Sequence, residues 1–188
     1  MKKELITIAG SLGSGKSSTA KMVAQALGYR HFSSGDLFRQ IAAERGESVE
    51  ATNISAEAKR DIDYQVDELL QKMGKTESKL VIDSRMAWHW MPDSFKVFLN
   101  IDIDSAAQRI FQDVLRKERV SEHAESVEDV RASIERRFAS EQKRYFSLYG
   151  VNPTDTKNFD LVIDTKDNSL SGVTDIVLKK YKEWREEV

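Results

Sequence analysis

Apolar residues fall along the chain in two rhythms. Five short, nearly unbroken runs are rich in β-branched or aromatic residues: "LITIAG" (5–10), "YRHFS" (29–33), "LVID" (80–83), "FKVFLNI" (95–101) and "FDLVID" (159–164). Runs of this length and composition read as strands covered on both faces. Between them the spacing changes to three and four. Met22, Val23, Ala26 and Leu27 mark a helix over 16–27, and Leu37, Phe38 and Ile41 one over 36–45. Ile62, Val66, Leu69, Leu70 and Met73 mark a helix over 55–73, and Ile110, Val114 and Leu115 one over 104–119. Val127, Val130, Ile134, Phe138, Tyr145 and Leu148 mark 126–149, and Leu170, Val173, Val177, Tyr181 and Trp184 mark 169–187. Strands alternating with helices predict an α/β fold, a five-stranded parallel sheet with helices on both faces. The stretches 46–76 and 117–137 are highly charged and supply no strand. They read as excursions from the core, and excursions beside a parallel sheet often act as lids.

Composition narrows this little. A length of 188 residues suits one domain, 1–188, with a real core. The formal net charge of −2 offers no electrostatic case for broad binding to nucleic acid or to an anionic membrane. Cysteine is absent, which removes disulfide and thiolate chemistry and fits a cytoplasmic location. No apolar run is long enough to span a membrane. The start, "MKKELITIAG", faintly resembles a signal peptide, but its apolar run is short and the glycine-rich stretch from Gly10 to Ser17 explains it better.

Gly10 to Ser17 reads G-S-L-G-S-G-K-S, which fits the phosphate-binding pattern G-x-x-x-x-G-K-[ST] between a strand and a helix. Glycines let successive backbone N–H groups turn toward an anion, and the following helix adds its N-terminal dipole. Ser11, Gly13, Ser14, Gly15, Lys16, Ser17 and Ser18 are the candidate cradle. Lys16 can reach the β- and γ-phosphates, and the Ser17 hydroxyl suits Mg²⁺. The expected ligand is a nucleoside triphosphate with Mg²⁺.

A phosphate loop does not name the acceptor. Four further stretches bear on it. In "FSSGDLFRQIA" (32–42), Ser33 and Ser34 can cap a helix that starts near Asp36 and carries Arg39. A capped helix with a solvated arginine explains it equally well. "LVIDSR" (80–85) ends a strand in Asp83 and Arg85, and ligands gather at such carboxyl ends. Asp83 can serve Mg²⁺ and Arg85 an acceptor phosphate, or the two can form a surface pair. Arg137, Glu141 and Arg144 form a stripe roughly 60° wide bordering the apolar face of their helix. It reads as a cleft wall or as a solvated salt-bridge ladder. In "LRKERVSEHAES" (115–126), Arg116 or Arg119 can close over phosphates, or the run is simply solvated. His31, His89 and His123 are scattered, and no general base stands out. A phosphate acceptor needs none, since its second pKa near 6 leaves it ionised. Several arginines and no base favour a nucleoside monophosphate as acceptor over a sugar.

Taken together, these segments resemble the cytidylate kinases, most closely their short archaeal-type branch. "ITIAGSLGSGKSSTAKMVAQALGY", "SSGDLFR", "IDSRMAWHWM" and "RRFASEQKRYFSLYGVNPTDTKNFDLVIDT" are similar to that family's segments, from about residue 4 to 165. The Arg137–Glu141–Arg144 spacing before "RYFSLYG" is the most specific match. Ser84 stands where the family usually has glycine, and "AWHWM" carries an extra residue. The resemblance implies a P-loop kinase moving the γ-phosphate of Mg·ATP to CMP or dCMP. Ser34, Gly35 and Arg39 would line the monophosphate site, and Arg85 would hold the acceptor phosphate. Arg137, Glu141 and Arg144 would contact its phosphate and sugar side. Lys16, Arg85, Arg137 and Arg116 would be catalytic, with Ser17 and Asp83 on the metal. Residues 46–76 would be a monophosphate-binding flap and about 116–137 a lid. Its partners would be small molecules, with neither nucleic acid nor membrane, and the chain a monomer unless the tail helix leaves a face for a dimer. Alternatives are a kinase of the same fold with AMP, dephospho-CoA or a sugar acid as acceptor, and a non-catalytic nucleotide-binding regulator.

Overall fold

The computed structural model describes residues 2–46, 52, 61–116 and 124–187. Five strands, β1 (Leu5–Gly10), β2 (Arg30–Ser33), β3 (Leu80–Asp83), β4 (Phe95–Asn100) and β5 (Leu161–Asp164), form one sheet in the order β2-β3-β1-β4-β5. Every pairing is parallel. Among the described residues, helices connect and flank them: α1 (Lys16–Leu27), α2 (Ser34–Glu44), α3 (Asp61–Thr76), α4 (Ala87–Trp90), α5 (Ile103–Leu115), α6 (Val127–Tyr149) and α7 (Leu170–Glu186).

Strand periodicity explains the layers. Ile6 and Ile8 of β1 point with Val81, Val97 and Leu99 to one face, where Val23 of α1 and Val173, Val177 and Tyr181 of α7 cover them. Leu5 points with Leu80 and Ile82 to the other face, under Leu70 and Met73 of α3 and Ala87 and Met91 around α4. Both faces are dry, so the central strands read as continuous apolar runs. Each fully buried aliphatic side chain contributes about 1.5–3 kcal/mol.

The predicted strands are all present, β1 and β3 with the predicted ends and the other three shortened by one or two residues. Tyr29, Ile101, Phe159 and Asp160 lie outside them. The helix expected from 36 starts at Ser34, because Ser33 is its cap and accepts from the Asp36 amide at 3.2 Å. Ser126 and Ser169 cap α6 and α7 in the same way. The helix expected from 55 is seen over Asp61–Thr76 and runs past 73. Residues 55–60 and 117–119 of the expected helices lie outside the described residues. So do Arg119, His123 and most of 47–60. The short α4 and a 3₁₀ turn at Thr156–Asn158 were not anticipated.

Some apolar expectations fail. Leu115, Phe138 and Leu170 are exposed rather than core, and so is Ala26. Leu115 sits in the last turn of α5. On α6 the inward stripe is Val130, Ile134, Glu141 and Arg144, with Arg137 half-buried between them, so Phe138 is rotated outward. The charged stripe continues the buried face instead of bordering it.

Candidate functional site

The loop after β1 is held against the sheet. Ser11 donates its amide to the Leu99 carbonyl at 3.0 Å, and a Cβ on Gly10 would collide with that same carbonyl. Gly13 and Gly15 take left-handed backbone, φ 77° and 79°, which disfavours any side chain. Gly13 also packs on Ala106 of α5, 3.0 Å from where its Cβ would lie. Gly15 directly precedes α1, so the loop delivers the first amides of that helix to one point. The buried Ser14 hydroxyl has no hydrogen-bond partner among the described residues. A donor left in that state suits a ligand oxygen.

Asp83 ends β3 beside this loop, in register with Ile8 of β1, and is 1% exposed. Its two carboxylate oxygens take the Lys16 ammonium and the Ser17 hydroxyl, and Ser33 Oγ donates at 3.3 Å. Ser34 Oγ donates to the Asp83 carbonyl at 3.4 Å. Burial pushes the Asp83 carboxyl up, but Lys16 and Ser17 more than reverse this and hold it below the usual carboxylate range. Burial pulls the Lys16 pKa down against the attraction of Asp83. The alternative reading, a surface pair of Asp83 with Arg85, is therefore not what forms.

A cleft of about 1280 Å³ runs from this cluster. The whole loop from Ser11 to Ser18 lines it, as do Asp83, Gly35, Arg39, Arg85, Arg116 and Arg137. Arg39 is half-exposed and paired with Asp36. Arg85 Nε meets Glu141 Oε2 at 2.7 Å, joining the end of β3 to α6. Glu141 and Arg144 do not line the main cleft. With Ser34 they border a side pocket of about 90 Å³ that shares Lys16, Gly35, Arg39, Arg85 and Arg137 with it. Arg144 Nε lies 3.0 Å from Asp63 Oδ2 of α3. Glu141 and Arg144 thus both reach off their helix, which overturns the solvated-ladder reading.

Several residues with a place here carried no expectation. Arg109 of α5 lines the cleft and donates to the carbonyls of Thr165 and Lys166 at 2.5 and 2.8 Å, tying α5 to the loop after β5. Asp63 and Asp67 lie one turn apart on α3, at helical spacing with the buried Leu70. That interleaving was the available signal. Asp67 accepts from Trp90 Nε1 at 2.9 Å and from the Tyr149 hydroxyl, so the "AWHWM" segment anchors α3. Burial pushes the Asp67 carboxyl up, against those two bonds.

The donor set fits Mg²⁺. That ion keeps several waters and takes one or two protein carboxylates plus phosphate oxygens. Ser17 and Asp83 supply one hydroxyl and one carboxylate side by side. Among the described residues no group of three or more His, Cys, Asp or Glu could hold a metal alone.

The model of the cytidylate kinase-like family matches residues 5–167. The chain belongs to that family. A cytidylate kinase from Methanothrix thermoacetophila is 34% identical over 161 residues, covering 86% of this chain and 88% of that one. An S-adenosylmethionine-dependent nucleotide dehydratase from Lacinutrix mariniflava is 31% identical over 181 residues. The match spans 96% of this chain but only 36% of that longer protein. Among solved structures, a shikimate kinase from Bacteroides thetaiotaomicron superposes with a TM-score of 0.62 at 13% identity, covering 97% and 98% of the two chains. At that identity the likeness is one of fold, the fold of a P-loop kinase. Among the described residues no helix is long and apolar enough to cross a membrane.

Proposed function

We propose that the chain is an ATP-dependent nucleoside monophosphate kinase that phosphorylates CMP or dCMP. One observation carries this reading: the phosphate loop and the Arg39–Arg85–Arg137 set line a single cleft, with a side pocket opening behind Arg85. Two phosphate-binding groups of this kind suit a donor and an acceptor that are both phosphorylated. The family's cytidylate kinases supply the base.

In this reading the amides of the loop and Lys16 hold the donor's β- and γ-phosphates, with the adenine side toward Arg109. Arg85 and Arg39 hold the acceptor phosphate in line. An acceptor oxygen forms its bond to the γ-phosphorus as the bond to the β–γ bridging oxygen breaks, and ADP leaves with that electron pair. The acceptor is already ionised, so no base takes a proton. Arg137 and Arg116 spread over the charge on the transferred group, and positioning supplies the rest of the rate. Mg²⁺, held by Ser17 and by Asp83 directly or through water, would neutralise phosphate charge. Residues 46–76 act as the flap and 116–137 as the lid, and their closure excludes water. The protein works on small molecules in the cytoplasm, as a monomer.

A coupled ADP-release assay with Mg·ATP tests this against CMP, dCMP, UMP, AMP, GMP and dephospho-CoA. Turnover stimulated by CMP or dCMP is expected. A flat response to all six would remove the acceptor assignment and leave only a nucleotide site.

A further inference from the structure

We infer that Phe138 is a positioning residue: when substrates bind, its ring seats in an apolar cavity beside the phosphate loop, and that seating holds Arg137 over the transferred phosphate. The inference rests on the monophosphate kinase reading. The cavity has a volume of about 210 Å³ and shares only Ser11, Leu12 and Arg85 with the main cleft. Its apolar walls are Leu12 of the loop, Phe98 of β4, Ile101 just after it, Ile103 and Ala106 of α5, and Ile134 of α6. Phe138 lines the same cavity one turn further along α6, yet it is 44% exposed. A void lined by apolar atoms forfeits their dispersion contacts, and a ring half in water forfeits burial. A cavity of about 150 Å³ already takes a benzene ring, so this one has room for the phenyl group.

The helix links that seat to the chemistry. Arg137 precedes Phe138, about 100° round α6. It lines the main cleft, whereas Phe138 lines the cavity, and Ser11 and Leu12 border both. A movement of α6 toward the loop therefore carries the ring into the void and the guanidinium toward the phosphates together. Glu141, one turn on, also lines the cavity and holds Arg85 at 2.7 Å, so the acceptor arginine travels with them. The main cleft has room for such a movement. Its volume of about 1280 Å³ exceeds the roughly 300–1,000 Å³ usual for a small-molecule site.

Phe138→Ala should lower kcat about five- to tenfold, the worth of burying half a phenyl ring, with KM for ATP and CMP held within about twofold. Its melting temperature should stay within about 2 °C, because a half-exposed ring supports the ligand-free fold little. Phe138→Leu, which keeps an apolar side chain, should recover most of kcat. The chain has no cysteine, so Gln142→Cys on the cavity's rim supplies a single thiol. Its alkylation by N-ethylmaleimide should slow about fivefold or more with a non-hydrolysable Mg·ATP analogue plus CMP. Alkylation of Lys143→Cys, on the exposed face, should not change. Normal kcat in Phe138→Ala would overturn the inference, as would a melting temperature that falls along with kcat, which would make the ring a structural prop. So would equal labelling of Gln142→Cys with and without ligands. If Phe138→Ala does not fold, the labelling decides. A wild-type protein that phosphorylates CMP while Gln142→Cys stays unprotected removes this inference alone. A wild-type protein that phosphorylates no monophosphate removes the kinase reading, and this inference with it.

Discussion

The phosphate loop presents backbone to the cleft, whereas the wall facing it presents side chains that hold one another. The first is a single contiguous run, Ser11 to Ser18, completed by one distant residue, Asp83. The second gathers Arg39 from α2, Asp63 from α3, Arg85 from the end of β3, and Arg137, Glu141 and Arg144 from α6. In that wall Arg85 is held by Glu141 and Arg144 by Asp63, each across two elements. On the loop side the backbone amides have no counter-charge to strand, and Lys16 alone leaves a buried carboxylate, Asp83. Removing either partner of a pair on the facing side strands a buried opposite charge. The two sides should therefore fail differently under mutation.

The largest effect is expected from Lys16→Ala. Turnover should fall by about 10³-fold or more, the scale set by losing a cation from a phosphoryl-transfer site, with the far-UV circular dichroism unchanged. Near-normal turnover would break the assignment of the loop to the donor.

Arg85→Ala comes next and reports on the facing side. KM for the monophosphate should rise about 30-fold or more, the usual loss when one partner of a buried charge pair is cut away, and KM for ATP should stay within about twofold. A change confined to ATP would show that the two sides have been exchanged.

Glu141→Gln sharpens the comparison by separating binding from holding. Glu141 is 6% exposed, so losing its charge should weaken both monophosphate use and the fold. About tenfold in kcat/KM is expected, with a melting temperature lower by about 2–4 °C for each kcal/mol lost. A double-mutant cycle with Arg85→Ala should show strong coupling. Additive losses would mean that the ion pair does not position Arg85.

The smallest effect is a pH dependence at Asp67, which also lines the side pocket. Burial raises its pKa, so the folded protein keeps that proton to higher pH than the unfolded chain does. Its contribution to stability is therefore greatest below about pH 4 and declines as pH rises through the raised value. Urea unfolding of wild type and Asp67→Asn between pH 4 and 8 should show the wild-type advantage shrinking as pH rises. An advantage growing toward neutral pH would show that the Trp90 and Tyr149 bonds outweigh burial.

Legibility followed the same division. The central strands β1, β3 and β4 could be read because burial on both faces makes them unbroken apolar runs. The cap at Ser33 could be read because a hydroxyl three residues before an amide is a local device, and the structure shows Ser126 and Ser169 using the same device. The loop could be read because its chemistry lies in glycines and one lysine next to each other. Asp63 and Asp67 escaped notice because a carboxylate on a charged helix ordinarily faces water, and only Arg144, Trp90 and Tyr149 from other elements change that. Phe138 was misjudged for the reciprocal reason. Once Glu141 and Arg144 are neutralised by partners they occupy the inner face, and the ring beside them turns outward.

By itself the sequence determined what depends on near neighbours: five strands, the helices between them, and a phosphate-binding loop whose glycines permit only one kind of backbone. The tertiary structure decided which charges meet. Arg85 with Glu141 and Arg144 with Asp63 are separated by dozens of residues, and no spacing rule pairs them. A charge reads as solvated until a second element supplies its counter-charge, and only packing α3 and α6 around the end of β3 brings that second element there.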